Sequence, residues 1–530
     1  MQMIITETNI IYEFKYESER SNRLFYIGID IGTTSTKTIT FDKAGNIISK
    51  STREYPIYSP QPDFREQDPE EILKAVVETL EESIMKAGIG AEEISFIAFS
   101  SMMHSIIAVG ENCKPLTKCI IWSDNRSASY AHRFKDSGKG REIYLKTGTP
   151  THPMSPLYKL MWLKDNEAEI YSKAYKFISI KEYILYKFFK RYIVDYSVAS
   201  SSGMFNIFNL KWDKEVLDML ELDEAKLPEA VPTTCILQNL DEEICARTGL
   251  TAETKLVIGA SDGCLASLGS NAVELGIAAA TIGTSGAVRI VSKRPVTDDN
   301  ERFFCYYLSP DRYVVGGAIN NGAVVYRWYR DEFTQAEKNE AEKLGAEIHD
   351  LLNDKIAKIN AGSEGLLFLP FLSGERAPYW DAELRGAYLG IADYHNRIHF
   401  ARALMEGICY DMKEILDAVK DLSGPVNSVY ANGGFTRSQE WVQILCDIFG
   451  VEVILTETYE SSSLGAVMLG MYATREIDDL KQCSDIVKVK KVIKPRAENI
   501  CIYEELYKLY REAIERLMPV LKQLSCYKSQ

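Results

Sequence analysis

The chain has 530 residues, 46% of them hydrophobic and 26% charged, with 33 glycines and 17 prolines. That is too much chain for one core: about 150 residues per domain gives roughly three to four units, or two large ones. It is also neither low-complexity nor disordered in composition. The formal net charge of −14 argues against a nucleic-acid binder, which carries a basic face.

No apolar run approaches the roughly 20 residues that span a bilayer. The first 24 residues are rich in Glu, Lys and Arg and lack the apolar centre of a signal peptide. Eleven cysteines, an odd number without a C-x-x-C pair, read as reduced thiols. The expectation is a cytoplasmic, multidomain enzyme with no membrane and no nucleic-acid partner. A homodimer is compatible with all of this.

In chain order, Phe25–Ile31 reads as a buried strand that turns at Gly32-Thr33-Thr34 and returns over Thr36–Phe41. A third strand starts at Ile47. Asp68-Pro69 opens a helix with Asp68 as N-cap, Pro69 at N1 and Glu71 completing a capping box. The apolar face of that helix is Ile72, Ala75, Val76, Thr79 and Leu80. Strands follow at Ile94–Phe99 and Leu256–Ser261, and the small-residue stretch Gly263–Ala280 marks a domain boundary. A second tight corner, Gly283-Thr284-Ser285-Gly286, then repeats the first about 250 residues later. Two Gly-Thr hairpins opening two halves suggest a duplicated fold with a cleft between the copies. The charged stretch 475–499 reads as a connector. A final helix, Ile502–Leu524, presents Ile502, Leu506, Leu509, Ile514 and Leu517 for docking.

Several residues suit phosphate and sugar chemistry. The run from Asp30 to Lys37 lacks the second glycine of a Walker loop, and no helix follows it for a dinucleotide fingerprint. A hairpin phosphate grip fits better: Gly32 permits close approach, Thr33, Thr34 and Ser35 are donors, and Lys37 adds positive charge. Asp30 at the strand end suits Mg²⁺. Local sequence alone is equally satisfied by a polar hairpin. Gly283 and Thr284 offer a second grip, and Asn432-Gly433-Gly434 is either a surface for a flat base or a strand-to-helix turn. Asp262, ending a strand at the boundary, is a helix N-cap or the acceptor of a substrate hydroxyl proton. Met103 and His104 follow a strand. Trp122, Asp124 and Arg126 combine an aromatic wall with hydroxyl and carboxylate partners, as sugar pockets do. His395 and His399 have zinc-like spacing without a third ligand and read as incidental.

Together these residues resemble the FGGY carbohydrate kinases of the actin-like ATPase superfamily, over nearly the whole chain from about Phe25 to Thr474. Met154–Asn166 fits the first family signature. Gly386–Ile391, followed by His399–Glu406, fits the second. The resemblance implies an α/β fold of two RNase-H-like domains around an interdomain cleft: residues 25–270 for sugar, 271–474 for nucleotide. Residues 475–530 would be a connector and terminal helix, and 1–24 an extension without an assigned role. It further implies ATP and Mg²⁺, with Asp262 as catalytic base and Asp30 as the Mg²⁺-associated carboxylate. Thr33, Thr34 and Lys37 match the first phosphate hairpin and Thr284 the second. Asn321 and Gly322 fall where the family contacts nucleotide, and Gly434 and Ser438 lie near adenine. Met103-His104 stands where glycerol kinases carry Arg-Glu. The stretches 103–127 and 148–165 are most similar to the members that phosphorylate gluconate. The expected reaction is ATP-dependent phosphorylation of D-gluconate to 6-phosphogluconate, with Arg126 meeting the substrate carboxylate. The alternatives are xylulose or another pentulose as substrate, or a non-catalytic ATP- and sugar-binding protein.

Overall fold

The computed structural model describes residues 24–457 and 459–527, so the leader 1–23 lies outside the described residues. The three strands expected at the start form as a meander: β1 (Phe25–Ile31), β2 (Ser35–Phe41) and β3 (Ile47–Glu54). Strands β4 (Ile94–Ser101), β5 (Ile236–Leu237) and β6 (Leu256–Ser261) complete a six-stranded sheet in the order β5-β6-β4-β1-β2-β3. β4 runs parallel to both β1 and β6, while β2 is antiparallel to its neighbours.

The second half repeats this plan. β7 (Ile277–Ile282) and β8 (Gly286–Ser292) form the second hairpin, followed by β9 (Phe304–Ser309) and β10 (Arg312–Ile319). β11 (Ser428–Asn432), β12 (Glu452–Thr456) and β13 (Val489–Ile493) extend the sheet to the order β9-β10-β8-β7-β11-β12-β13. An antiparallel unit, three-stranded in the first sheet and four-stranded in the second, is continued by two parallel strands in each, and the first hairpin is the Gly-Thr corner. Among the described residues, no helix is long and apolar enough to cross a membrane.

Helix α1 (Pro69–Ala87) starts as the sequence indicates, with Asp68 accepting from the Glu70 N–H, and buries Ile72, Ala75, Val76, Thr79 and Leu80. The capping box does not form. The Glu71 carboxylate instead accepts from the Tyr58 hydroxyl (2.8 Å).

The small-residue stretch at the boundary is no loose linker. It begins as helix α2 (Asp262–Gly269), which packs on α3 (Ser461–Ala473). Small residues serve close approach here. A Cβ at Gly269 would lie 1.9 Å from the Ser461 carbonyl oxygen, and one at Gly465 would lie 2.0 Å from that of Leu265. A Cβ at Gly28 on β1 would likewise lie 2.4 Å from the Ser463 carbonyl oxygen. Although α3 comes from the second half of the sequence, it also packs on β1 and β4 of the first sheet.

The stretch read as a connector supplies the edge strand β13. The terminal helix, α4 (Ala497–Leu524), docks through a tyrosine face of Tyr503, Tyr507 and Tyr510 together with Ile514 and Leu521. Ile502 and Leu509, expected to dock, are exposed. Tyrosine carries enough apolar surface to be the buried stripe while its hydroxyl pairs with buried charge, as Tyr503 does with Glu406 (2.8 Å).

A methyl group at the α2–α3 crossing cannot be accommodated without separating two backbones. Gly465→Ala is therefore expected to lower stability by about 1–3 kcal/mol, the usual cost of overpacking. Urea denaturation checks this, and an unchanged midpoint would refute the close-packing account.

Candidate active site

The two hairpin corners are built alike. The Gly32 N–H donates to the Ser35 carbonyl (3.0 Å), and the Gly283 N–H donates to that of Ser285 (2.8 Å). Thr34 and Thr284 are exposed at the tips, with Ser35 and Ser285 partly exposed beside them. Thr33 is held from the side, its Oγ1 accepting from the Trp122 indole N–H (2.9 Å). The second corner rests on a helix start: the Ala323 and Val324 N–H groups donate to the carbonyls of Gly283 (2.7 Å) and Thr284 (3.2 Å). Gly322 makes this contact possible, because a Cβ there would sit 2.6 Å from the Ser285 carbonyl oxygen.

Two residues expected at the nucleotide are hydrogen-bonded within the protein. The Asn321 side chain is buried and clamps the 373–375 loop, donating to the Gly374 carbonyl (2.6 Å) and Glu375 (2.7 Å). Ser438 caps the helix Gln439–Phe449, accepting from the Trp441 N–H (3.2 Å). Gly433 and Gly434 form the turn from β11 into a short 3₁₀ helix. Gly433 needs its φ of +103°, with the Ile282 carbonyl 2.4 Å from any Cβ, whereas nothing lies within 4 Å of one at Gly434. Gly434 thus leaves open space beside the main chain. Lys37 is engaged in an ion pair with Glu460 (3.1 Å), which also pairs with Lys50.

Asp30 and Asp262 lie at the ends of β1 and β6. Asp30 accepts from the Ser100 hydroxyl (2.7 Å), and burial raises its pKa against that bond and the nearby Lys37 charge. Asp262 does not cap its helix: the N-cap is Ser261, and among the described residues the Asp262 carboxylate accepts only from the adjacent Gly263 N–H (2.6 Å). Burial, then the charge of Asp30, push its pKa up to about 6, opposed by Arg289. Among the described residues no cluster of three or more metal-ligating side chains occurs. Mg²⁺ bound with nucleotide takes one or two carboxylates, the rest being phosphate and water oxygens, so the aspartate pair fits that role and not a resident ion cage.

Between the two sheets lies a cavity of about 220 Å³ reached by Thr33, Asp262 and Ser285. Met103, His104 and Trp122 wall it from the first domain, and Arg289, Tyr306 and Arg376 from the second. A larger groove of about 630 Å³ runs past Arg437, Tyr459 and Lys491 at the second sheet's outer edge, and its lining includes neither hairpin nor aspartate. The His104 ring contacts the Ser201 carbonyl through Nδ1 (2.8 Å), and burial, then the Lys159 charge, depress its pKa to about 3. It is therefore a neutral imidazole with Nδ1–H donating and Nε2 accepting toward the Tyr306 hydroxyl (3.4 Å). Lys159 is fully buried and donates to the carbonyls of His104 and Ile121 (both 2.7 Å), pinning the two wall loops together.

The structure withdraws Asp124 and Arg126 from the cavity. Asp124 is fully buried, and Arg126 pairs with it through Nε (2.9 Å) and Nη2 (2.8 Å), and with Glu66 (2.6 Å), while stacking 3.7 Å from the Phe64 ring. A guanidinium so engaged is not available to a ligand. Arg289 and Arg376 are the cavity's cations, and neither was picked out in the sequence. A signal existed for Arg289, a lone charge within the otherwise apolar strand AVRIV. Arg376 precedes Ala377-Pro378 in a loop with no periodicity to place it. His395 and His399 make backbone contacts at Ala392 and Asn396.

Model-to-sequence comparison agrees with this architecture. Residues 25–269 match the N-terminal domain, and residues 278–474 the C-terminal domain, of the FGGY family of carbohydrate kinases. The chain belongs to that family. It is 46% identical over 464 residues to the gluconokinase of Bacillus subtilis (strain 168), covering 87% of this chain and 90% of that protein. A xylulose kinase of Staphylococcus epidermidis is 30% identical, covering 92% of this chain and 96% of that one. A gluconate kinase structure from Lactobacillus acidophilus superposes with a TM-score of 0.89 at 33% identity, covering 94% of this chain and 98% of that one.

The Arg126 network predicts a separation of effects. Arg126→Met strands a buried carboxylate and is expected to cost about 3–5 kcal/mol of stability. The KM for the sugar substrate, measured on the folded fraction, should stay within about threefold of wild type, since the cavity cations are elsewhere; a larger rise would return Arg126 to the binding site.

Proposed function

We propose that this protein transfers the γ-phosphoryl group of ATP to the terminal hydroxyl of D-gluconate, giving ADP and 6-phosphogluconate. The observation that carries this reading is the placement of Asp262. Its carboxylate, which among the described residues is engaged by its own neighbour's N–H alone, borders a cavity flanked by two Gly-Thr hairpins. The 46% identity to a gluconokinase, against 30% to a xylulose kinase, supports the acid over the ketose.

In this scheme Asp262 accepts the proton of the terminal hydroxyl while that oxygen attacks the γ-phosphorus. The bond from phosphorus to the β–γ bridging oxygen breaks, and ADP leaves. Thr33, Thr34 and Ser35 on one side and Gly283, Thr284 and Ser285 on the other donate to the phosphoryl oxygens as charge spreads over them. Mg²⁺ accompanying ATP would neutralise phosphate charge, with Asp30 as its carboxylate. His104 Nε2 accepts from a substrate hydroxyl in place of the long contact (3.4 Å) from the Tyr306 hydroxyl, and Trp122 and Met103 give the carbon chain an apolar wall. The open space at Gly434, beside Gly433, suits the adenine face.

A second reading has one observation in its favour. A ligand-bound xylulose kinase structure from Lactobacillus acidophilus superposes equally well, with a TM-score of 0.89 and 33% identity. ADP release with Mg-ATP across D-gluconate, D-xylulose, L-ribulose and glycerol separates the two. A selective response to gluconate is expected; selectivity for a ketose would keep the kinase chemistry and discard the substrate.

Asp262→Asn is expected to fold and to lower kcat by about 10²–10⁴-fold, as for loss of a general base. The base must be ionised to act, so wild-type kcat/KM should fall as pH drops through about 6, the value to which burial and Asp30 bring Asp262. A profile flat from pH 5 to 8, or a variant with near-normal turnover, would remove Asp262 from this role.

A further inference from the structure

The cavity is lined by two arginines to which the proposed phosphoryl transfer assigns no part, Arg289 and Arg376. Arg289 lies on β8 three residues beyond Gly286, which at about 3.3 Å per residue puts its Cα about 10 Å down the strand from the phosphate corner. Strand alternation places it on the same face as Ala287, and both line the cavity. Among the described residues it makes no hydrogen bond or ion pair, and its Nε is fully buried without a partner. It is pressed against the start of α2: a Cβ on Gly263 would meet its Nε at 3.2 Å, its Nη2 at 3.3 Å and the Met103 Cε at 3.2 Å.

A half-buried guanidinium whose Nε is shut away from water without a partner is costly, because such groups are normally paired. The groups around Arg289 do not pair it. Asp262 attracts it from beyond ion-pair distance, Tyr306 and Cys264 are neutral, and Arg376 repels it. Arg376 also has a buried Nε without a partner, but its Nη2 donates to the Ile319 carbonyl (3.0 Å) opposite Gly286 and it lies 4.9 Å over the Trp122 ring. The Glu375 carboxylate is turned away to Asn320 and Asn321. Two guanidiniums thus face a cavity whose lining contains one carboxylate, Asp262.

We propose that Arg289 is the specificity-determining residue that receives the carboxylate of the sugar-acid substrate, its planar fork completing the pairing that the protein leaves open. The proposal rests on the gluconate reading above. A guanidinium matches a carboxylate through two parallel N–H···O bonds, while a ketose or glycerol would enter and leave Arg289 unpaired. Acid selectivity then comes from the floor of the second domain, and the aspartates and hairpins remain common to any acceptor. The same receptor chemistry would suit the transferring phosphoryl group, and the two sources are separable.

The test compares D-gluconate with D-gluconamide, a neutral analogue of the same length, in wild type, Arg289→Gln and Arg289→Lys. KM for each acceptor and for ATP would be measured, with thermal unfolding as the folding control. Wild type should prefer the acid by about 10²-fold, the discrimination expected for a charge-assisted pair. Arg289→Gln should bring that ratio close to one, chiefly through KM for gluconate, with KM for ATP within about twofold. Arg289→Lys, which keeps charge without the fork, should fall between, and it carries the test if the Gln variant does not fold. Wild type using gluconate, with the preference intact in both variants, would overturn the proposal alone. Equal losses on acid and amide with a raised KM for ATP would also overturn it, assigning Arg289 to the phosphoryl group. A wild type that ignores gluconate for a ketose would overturn the gluconate reading and the proposal with it.

Discussion

Everything in the cleft depends on how closely α2 and α3 approach. Their glycines let backbone meet backbone, and a single Cβ at Gly269 or Gly465 would overlap a carbonyl of the other helix. The reason for such tight contact lies at the helix starts. Asp262 opens α2, and Glu460, at the N-cap of α3, holds Lys37 and Lys50 of the first domain's hairpin strands. One crossing therefore sets the position of the carboxylate and of the hairpin it must work beside. Because α3 packs on the first sheet, the first domain is completed by a helix from the far end of the chain.

The cleft's electrostatics follow from that placement. Burial raises the pKa of both aspartates, and the charge of Asp30 raises Asp262 further, an imbalance that a cation placed between them would relieve. Opposite them, two arginines are held with part of their hydrogen-bonding capacity unused. Both imbalances lie in one cavity, whose lining includes the rings of Trp122, Phe304 and Tyr306. Rigid support surrounds them, with Lys159 tying the wall loops and Asn321 and Glu375 tying the loop that bears Arg376.

The parts of this design written locally were readable. A Gly-Thr corner between two strands is specified by adjacent residues, so both hairpins, the strands flanking them and the strand-end positions of Asp30 and Asp262 were legible. Residues whose roles depend on a distant partner were not. Arg126 has the composition of a ligand-binding arginine, and only the fold brings Glu66 and Phe64 to it. Glu71 has capping-box spacing, but Tyr58 competes for its carboxylate. The terminal helix has two plausible stripes, and the tyrosine stripe wins because Arg402 and Glu406 wait beneath it with hydrogen bonds for a hydroxyl. In each case charge pairing across sequence distance decided what periodicity and spacing left open.

That distinction bears on how one scaffold can serve several acceptors. The hairpins and aspartates belong to strand ends and helix starts, where backbone geometry is fixed by the sheets. Arg289 instead projects from mid-strand, where the neighbouring residues of β8 and β10 are small: Ala287, Gly316, Gly317 and Ala318. A Cβ at Gly316 would lie 2.1 Å from the Val288 carbonyl and 2.9 Å from the Arg289 Cα, so the strand beside Arg289 leaves its side chain room by having none of its own. A mid-strand side chain facing a cavity can change without moving a hydrogen bond of the sheet. The acceptor end of the cleft is thus mechanically uncoupled from the phosphoryl end. Substitution at such positions alters which substrate terminus finds a partner, while the distance from Asp262 to the two corners stays where the glycine-packed helices put it.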